Sequence, residues 1–377
     1  MFQTCPGRGE RCVAAMTDDP SESCVDGGEF FRTLRGHAAL AGVPVAVAIA
    51  PTYRCNFRCV HCYAHSSGTL PPELSCEAWL GIVDQLAEAG CLFLLITGGE
   101  PLLRPDFHDI YRHAKKRGML VTVFTNGSLV EDSHIRLFKD YPPRLVDVSL
   151  YGMSPEIHQA VTGVAGLSGT PLESVRALLR EGIRVALKTV PMKANHGEFG
   201  AMRSLAASLG VSFRYDSCIM PRLDGGRTPV EQRLPAKEAV ALEFSDPGRV
   251  ERWKAVYARK PGARGNGPLY RCSAGRTLAF IGPDGSVHPC IAATHRKYPS
   301  ATASFSDAWT RMVGDIRQLQ AAKNSECVHC GKNVYCGYCP AFCHLDGGDE
   351  SGVSPYLCDI GGARLSYLKG LSDGRDD

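Results

Sequence analysis

The chain has 377 residues, of which 17 are cysteine, and 42 basic residues against 39 acidic ones give a formal net charge of +3. At about 4.5 % cysteine (17 of 377) the chain lies below the roughly 8–10 % of short disulfide scaffolds, and an odd count excludes full internal pairing. The near-balanced charge favours neither nucleic acid nor membrane as a partner, and no signal peptide opens the sequence, so a cytoplasmic protein with reduced thiols is expected.

Residues 1–28 are rich in Gly, Pro, Asp and Ser and read as a flexible arm carrying Cys5, Cys12 and Cys24. The most apolar run, 38–51, holds Gly42 and Pro44 and is too short to span a bilayer. From 43 to 218 apolar runs alternate with amphipathic segments. Strands are predicted at Val45–Ala50, Phe93–Thr97, Leu120–Thr125, Leu145–Tyr151, Arg184–Val190 and Val211–Asp216. Between them, Ser75 caps a helix with the stripe Trp79, Ile82, Val83, Leu86. A second helix starts near Pro105 and ends before Gly118. A third carries Phe199, Met202, Leu205 and Leu209. Six such βα units imply an α/β fold, a parallel sheet curved into a partial (β/α)6 TIM-like barrel, with chemistry at the carboxy ends of the strands.

Residues 222–235 and 259–268 read as linkers; Arg259, Lys260 and Arg264 in the second read as a solvated loop. Beyond them, Thr277–Ile281, Pro283-Asp284-Gly285 and Ser286–His288 give a β-hairpin signal. Phe305, Trp309, Met312, Val313, Ile316 and Leu319 share one helical stripe. The remainder to Cys358 reads as cysteine-rich loop.

Cys55, Cys59 and Cys62 form C-x3-C-x2-C directly after the first strand. Three thiolates on one short loop do not complete a tetrahedral zinc site by themselves, although His61 or His65 would supply a fourth ligand. They suit three irons of a 4Fe–4S cluster with the fourth iron open. The next strand ends in Thr97-Gly98-Gly99-Glu100-Pro101. Paired glycines let backbone approach a ligand closely, and Glu100 can accept a hydrogen bond from an ammonium group.

With these motifs the sequence resembles the radical SAM superfamily. The resemblance implies that Cys55, Cys59 and Cys62 hold a 4Fe–4S cluster whose open iron is chelated by S-adenosylmethionine. It also implies that His61, Gly98, Gly99, Glu100 and Ser149 lie along that cofactor, with Asn126 and Lys188 facing the same mouth. Reductive cleavage would yield a 5′-deoxyadenosyl radical that abstracts hydrogen from a substrate.

Downstream, Cys272, Gly285-x4-Cys290, Cys327-x2-Cys330-x5-Cys336, Cys339, Cys343 and Cys358 resemble the SPASM extension of these enzymes, which holds two auxiliary iron–sulfur clusters. Two residues rather than the usual three precede Cys339, and Cys343 is additional. By family order Cys327, Cys330, Cys336 and Cys358 would hold the outer cluster and Cys272, Cys290 and Cys339 the inner one. Cys343 would be its fourth ligand or leave an iron open to substrate. Structural zinc knuckles are the competing reading. Cys76, Cys91 and Cys218 read as small hydrophobes.

The resemblance divides the chain into the arm 1–28, a radical SAM core over 40–222, a linker or helical bridge over 223–268, a SPASM domain over 269–360 and a tail over 361–377. It implies a peptide maturase acting on a peptide or protein by crosslinking, thioether formation or epimerisation. Ile291 and Ala292 follow Cys290 where sulfatase-maturing members carry an aspartate, which argues against that activity. The stretch 213–225 resembles a segment of uncharacterised peptide maturases, and Asp216 within it is the candidate acid/base residue. The short arm implies a separate leader-peptide recognition protein, or direct peptide binding by the cysteine-rich end, and the cluster implies an electron donor such as flavodoxin or ferredoxin. A small-molecule substrate in cofactor or tetrapyrrole biosynthesis, and a zinc-binding interaction module, are the alternatives.

Overall fold

The computed structural model describes residues 27–64, 70–263, 265–299 and 304–372. The arm with Cys5, Cys12 and Cys24, together with His65 and Arg264, lies outside the described residues.

All six predicted strands form: β1 Ala46–Ile49, β2 Phe93–Ile96, β3 Leu120–Thr125, β4 Leu145–Ser149, β5 Val185–Thr189 and β6 Ser212–Tyr215. They pair in parallel in chain order, with Val47 opposite Leu94 and Val148 opposite Leu187. Alternation along each strand separates two faces. Val47, Ile49, Leu94, Ile96, Val121, Val123, Val146 and Val148 are buried with the surrounding helices in one large core. Residues of the opposite parity, among them Ala48, Leu95, Phe124, Ser149 and Lys188, line the lumen.

The helices are α1 Gly27–Ala41, α2 Cys76–Glu88, α3 Phe107–Lys116, α4 Asp132–Asp140, α5 Pro155–Thr162, α6 Thr170–Arg180 and α7 Phe199–Ser208. Ser75 caps α2 through a hydrogen bond from the Ala78 N–H, and Trp79, Ile82, Val83 and Leu86 are its buried stripe, as the spacing predicts. In α4 the Nδ1 of buried His134 accepts a hydrogen bond from the Glu131 N–H at 3.2 Å. Burial, then the nearby His108, push His134 down to about 4. The unfolded chain therefore binds a proton below about pH 6.5 that the folded chain refuses until about pH 4. Stability present at neutral pH is lost through that window as pH falls. We expect His134 to contribute a loss of about 2 kcal/mol between pH 7 and pH 5. Urea midpoints at both pH values should show the slope shrinking by that amount in His134→Asn.

The structure extends one expectation and corrects two. First, the expected hairpin forms as β7 Leu278–Ile281 and β8 Val287–His288, paired antiparallel. Strand β7 pairs in parallel with β1, Ala46 opposite Leu278, so the sheet order is β6-β5-β4-β3-β2-β1-β7-β8. Second, the expected cysteine-rich loop contains short helices at Glu326–His329 (α11), Asn333–Cys336 (α12) and Pro340–Gly347 (α13), after α10 Phe305–Gln318. The α8 (Ala236–Phe244) and α9 (Pro247–Ala258) helices form the bridge ahead of the hairpin. Third, the presumed tail from 361 belongs to α14, Pro355–Ser372, which also carries Cys358. Ile360 and Leu368 of α14 pack with Val240 and Phe244 of α8 and with Tyr335 of α12 in a second core. Their apolar burial, roughly 1.5–3 kcal/mol per side chain, gives this stretch a reason to be helical that its weak amphipathic pattern does not. No helix among the described residues is long and apolar enough to cross a membrane.

Candidate functional site

The cysteine loop follows β1 and is stitched to the loop after β2 by backbone. The Gly99 N–H donates to the Thr52 carbonyl at 2.8 Å and the Glu100 N–H to the Arg54 carbonyl at 2.9 Å. A Cβ on Gly99 would lie 2.2 Å from the Arg54 oxygen, and one on Gly98 would lie 2.2 Å from the Thr52 oxygen. The glycine pair is therefore required by the close approach of two protein loops, a reason beyond the ligand approach expected from the sequence.

Glu100 is held by the protein itself. Its carboxylate is wholly buried and accepts hydrogen bonds from the Leu102 N–H (3.1 Å), the Thr125 hydroxyl (2.8 Å) and the Asn126 N–H (2.7 Å). It clamps the ends of β2 and β3 together behind the site. Burial pushes it up to about 7 despite those donors.

A cavity of about 620 Å³ opens at the carboxy ends of the strands. Its lining brings together Cys55, Cys59, Cys62, His61, Gly98, Gly99, Asn126, Ser149, Lys188 and Asp216, and adds Cys290 with Ile291 from the hairpin unit. Residues up to 161 positions apart in sequence (Cys55 to Asp216) thus share one space through the strand order, while Cys290 arrives because β7 docks on β1. Glu100 is the one predicted cofactor-side residue outside the lining.

The three thiols of the loop are near enough to repel one another as thiolates. Burial, with Glu100 and Cys62 nearby, pushes Cys55 up to about 11; burial and both neighbours raise Cys59 further. Asn126 reaches from the β3 end, its side-chain amide 3.9 Å from the Cys55 sulfur and 2.8 Å from the Asn56 oxygen. Such a buried set holds thiolates only when a bound cation shares their charge. His61 has its ring 4.8 Å from that of Tyr151, and its Nδ1 is buried with no hydrogen-bond partner. Lys188 carries its Nζ 3.4 Å from the Phe124 ring centroid. Burial lowers it to about 8 although Asp147 opposes the shift. Asp216 is exposed at the rim, and its Oδ1 accepts from the Cys218 N–H at 2.9 Å. Sequence reading overlooked Tyr53, Tyr63 and Tyr151 of the lining. Their positions beside the cysteine motif and just past β4 were the available signal.

The remaining cysteines lie in two neighbourhoods. Cys290 has Cys339 and Cys272 as electrostatic neighbours. Cys327 has Cys358, Cys336 and Cys330. Cys343, only 1 % exposed, faces Cys327 and Cys336 of one set and Cys339 of the other, and burial first of all raises it to about 12. Among the described residues no three His, Cys, Asp or Glu side chains converge as around a single metal ion. A buried carboxylate fastens this region: Glu350 accepts from Arg296 Nε and from His295 Nε2, both at 2.7 Å, and from the Tyr270 hydroxyl at 2.5 Å. It ties the segments next to Cys272 and Cys290 to the stretch after Cys343.

Residues 49–205 match the radical SAM superfamily. The antilisterial bacteriocin subtilosin biosynthesis protein AlbA of Bacillus subtilis (strain 168) is 28% identical over 319 residues, 81% of this chain and 68% of AlbA. The mycofactocin maturase MftC of Mycobacterium ulcerans (strain Agy99) is 28% identical over 338 residues, covering 83% and 89% respectively. Streptococcus suis SuiB shares the fold: bound to S-adenosylmethionine it gives a TM-score of 0.65 at 18% identity over 91% of this chain and 83% of SuiB. A further SuiB structure is bound to its precursor peptide SuiA.

Proposed function

Because this chain carries a radical SAM domain over residues 49–205, we propose that it is a peptide maturase that cleaves S-adenosylmethionine reductively and abstracts hydrogen from a peptide or protein substrate. The observation that supports this reading most is the single cavity lined both by the three-cysteine loop and by Cys290. It allows one substrate to meet both ends of the site. The named biosynthetic roles of AlbA and MftC and the peptide-bound SuiB structure point to the same substrate class.

Cys55, Cys59 and Cys62 would hold the 4Fe–4S cluster, with Asn126 orienting Cys55. When bound, that cluster and S-adenosylmethionine supply a 5′-deoxyadenosyl radical for hydrogen abstraction. The chain's own residues set the conditions. Gly98, Gly99, His61 and Ser149 line the cofactor side of the cavity from separate elements. Lys188, a cation held in a largely apolar lumen, suits the cofactor carboxylate. The apolar lining, including Phe57, Leu95 and Phe280, excludes water from the reacting centre. Asp216 at the rim is placed to exchange a proton with substrate.

Cys272, Cys290 and Cys339 would hold an inner auxiliary cluster and Cys327, Cys330, Cys336 and Cys358 an outer one. An external one-electron donor of the flavodoxin or ferredoxin type completes the proposal.

The test is anaerobic reconstitution followed by mass spectrometry of 5′-deoxyadenosine formed from S-adenosylmethionine and dithionite. Absence of that product from iron-replete protein would refute the reading. The double variant Cys327→Ala/Cys330→Ala should lose about one cluster's iron and its peptide-modifying activity, while uncoupled 5′-deoxyadenosine formation persists. Loss of cofactor cleavage in both cysteine sets would overturn the division of roles. Iron content of Cys343→Ser decides whether that thiol is a ligand.

A further inference from the structure

The lumen has a second opening, at the amino ends of the strands, that the mechanism above does not use. It forms a cavity of about 530 Å³. Three arginines from separate elements line it: Arg35 of α1, Arg144 ahead of β4 and Arg214 of β6, and no Asp or Glu is in the lining. The Arg144 guanidinium lies 5.5 Å from the Phe93 ring centroid and that of Arg214 lies 5.7 Å from the Phe124 centroid. Arg214 also pairs with the buried carboxylate of Asp147. Neither Arg35 nor Arg144 has an ion-pair partner among the described residues, and both are exposed. Stacked or solvent-facing guanidinium groups with open forks are suited to bidentate capture of a carboxylate.

This opening also leads toward the chemistry. Ala48, Leu95, Phe124 and Leu278 line both it and the cofactor-side cavity, so one layer of side chains separates the two spaces. That layer includes an alanine, and its other three members are side chains with rotamer freedom.

We propose that the lower opening is a carboxylate-reading entrance for the peptide substrate, in which Arg35 and Arg144 bind an acidic segment while the adjoining residue faces the upper cavity. The proposal rests on the peptide-maturase reading and adds the charge class of the substrate. Positive potential at a concave mouth draws an acidic segment in and disfavours a basic one. The apolar stems around the arginines accept the intervening aliphatic side chains.

The probe is a fluorescein-labelled peptide, Gly-Glu-Leu-Glu-Gly-Leu, compared with its Gln counterpart by anisotropy on the full reconstituted chain. The Glu peptide should bind at least about tenfold tighter at low salt, the advantage expected of charge-assisted hydrogen bonds. That advantage should vanish in R35Q/R144Q and return in part in R35K/R144K. Uncoupled 5′-deoxyadenosine formation by R35Q/R144Q should equal that of the parent, which shows an intact upper site. Equal binding of both peptides, or undiminished binding by R35Q/R144Q, overturns the proposal. So does displacement by inorganic phosphate well below the concentration at which chloride has the same effect, which would make this a phosphate site. Neutralising the chain's own acidic stretch (Asp18, Asp19, Glu22 and Asp26) should leave affinity unchanged; a tenfold rise would assign the arginines to that stretch instead. Failure of the parent to form 5′-deoxyadenosine would refute the radical reading alone, because the anisotropy result does not depend on it.

Discussion

Simultaneous replacement of Cys55, Cys59 and Cys62 by alanine is expected to bring 5′-deoxyadenosine formation to background. Enzymes lower barriers by about 8–23 kcal/mol, so removal of the group on which the reaction depends should cost at least roughly a thousandfold. The structure predicts that the fold survives. The three cysteines sit on a loop, and the core beneath is built by Val47, Ile49, Leu94, Ile96 and the helices around them. Circular dichroism should match the parent, while iron content falls by about one cluster's worth. Retained 5′-deoxyadenosine formation in the triple variant would remove these cysteines from the site. Collapse of the fold would contradict the separation of loop from core.

The second large effect is expected from a single methyl group. Gly99→Ala would set a Cβ 2.2 Å from the Arg54 carbonyl oxygen and 2.6 Å from that of Tyr53. Both are backbone atoms and neither can swing aside, so the cysteine loop or the β2 loop must shift. The hydrogen bonds from Gly99 and Glu100 to that loop would be lost or lengthened. Overpacking plus the loss of one or two hydrogen bonds should cost roughly 2–4 kcal/mol. A shift on the order of 1 Å at the reacting centre should lower the rate about a hundredfold. Gly81→Ala on α2 is the control, since nothing lies within 4 Å of its Cβ position. There alanine should raise stability slightly through helix propensity and leave activity alone. Chemical denaturation and the rate of 5′-deoxyadenosine formation, measured on both variants, test the contrast. Wild-type activity in Gly99→Ala would show that the two loops are not held at this distance in solution.

The contrast between these two predictions reflects how differently the residues announce themselves. The cysteine spacing was legible because a local chemical requirement, three thiolates on one short loop, is written in consecutive positions. The glycine pair was legible as a pair but not in its purpose. That purpose is contact with the Tyr53 and Arg54 carbonyls, some 45 residues earlier in the chain, and no local pattern reports such a contact. Glu100 shows the same limit. A carboxylate after two glycines at a strand end suggests a ligand contact, and only the three-dimensional arrangement reveals Thr125 and Asn126 as the groups that use it.

By itself the sequence determined the βα repeat, the six strands within a residue or two of their bounds, the N-cap and buried stripe of α2, and the three-cysteine spacing after β1. Each of these rests on interactions between residues near in sequence: periodic burial on a strand or helix, a cap three residues from its donor, or thiols at ligand spacing. The tertiary structure decided the rest. It joined β7 to β1 across more than 200 residues and so delivered Cys290 to the cavity of Cys55, Cys59 and Cys62. It turned the presumed tail into α14 by giving Ile360 and Leu368 a core to enter. It gathered Arg35, Arg144 and Arg214 around the opposite opening. Those outcomes depend on which strand edge and which apolar face remain to be covered once the chain has folded on itself. That is settled by the burial of distant surfaces, not by the neighbours of any one residue.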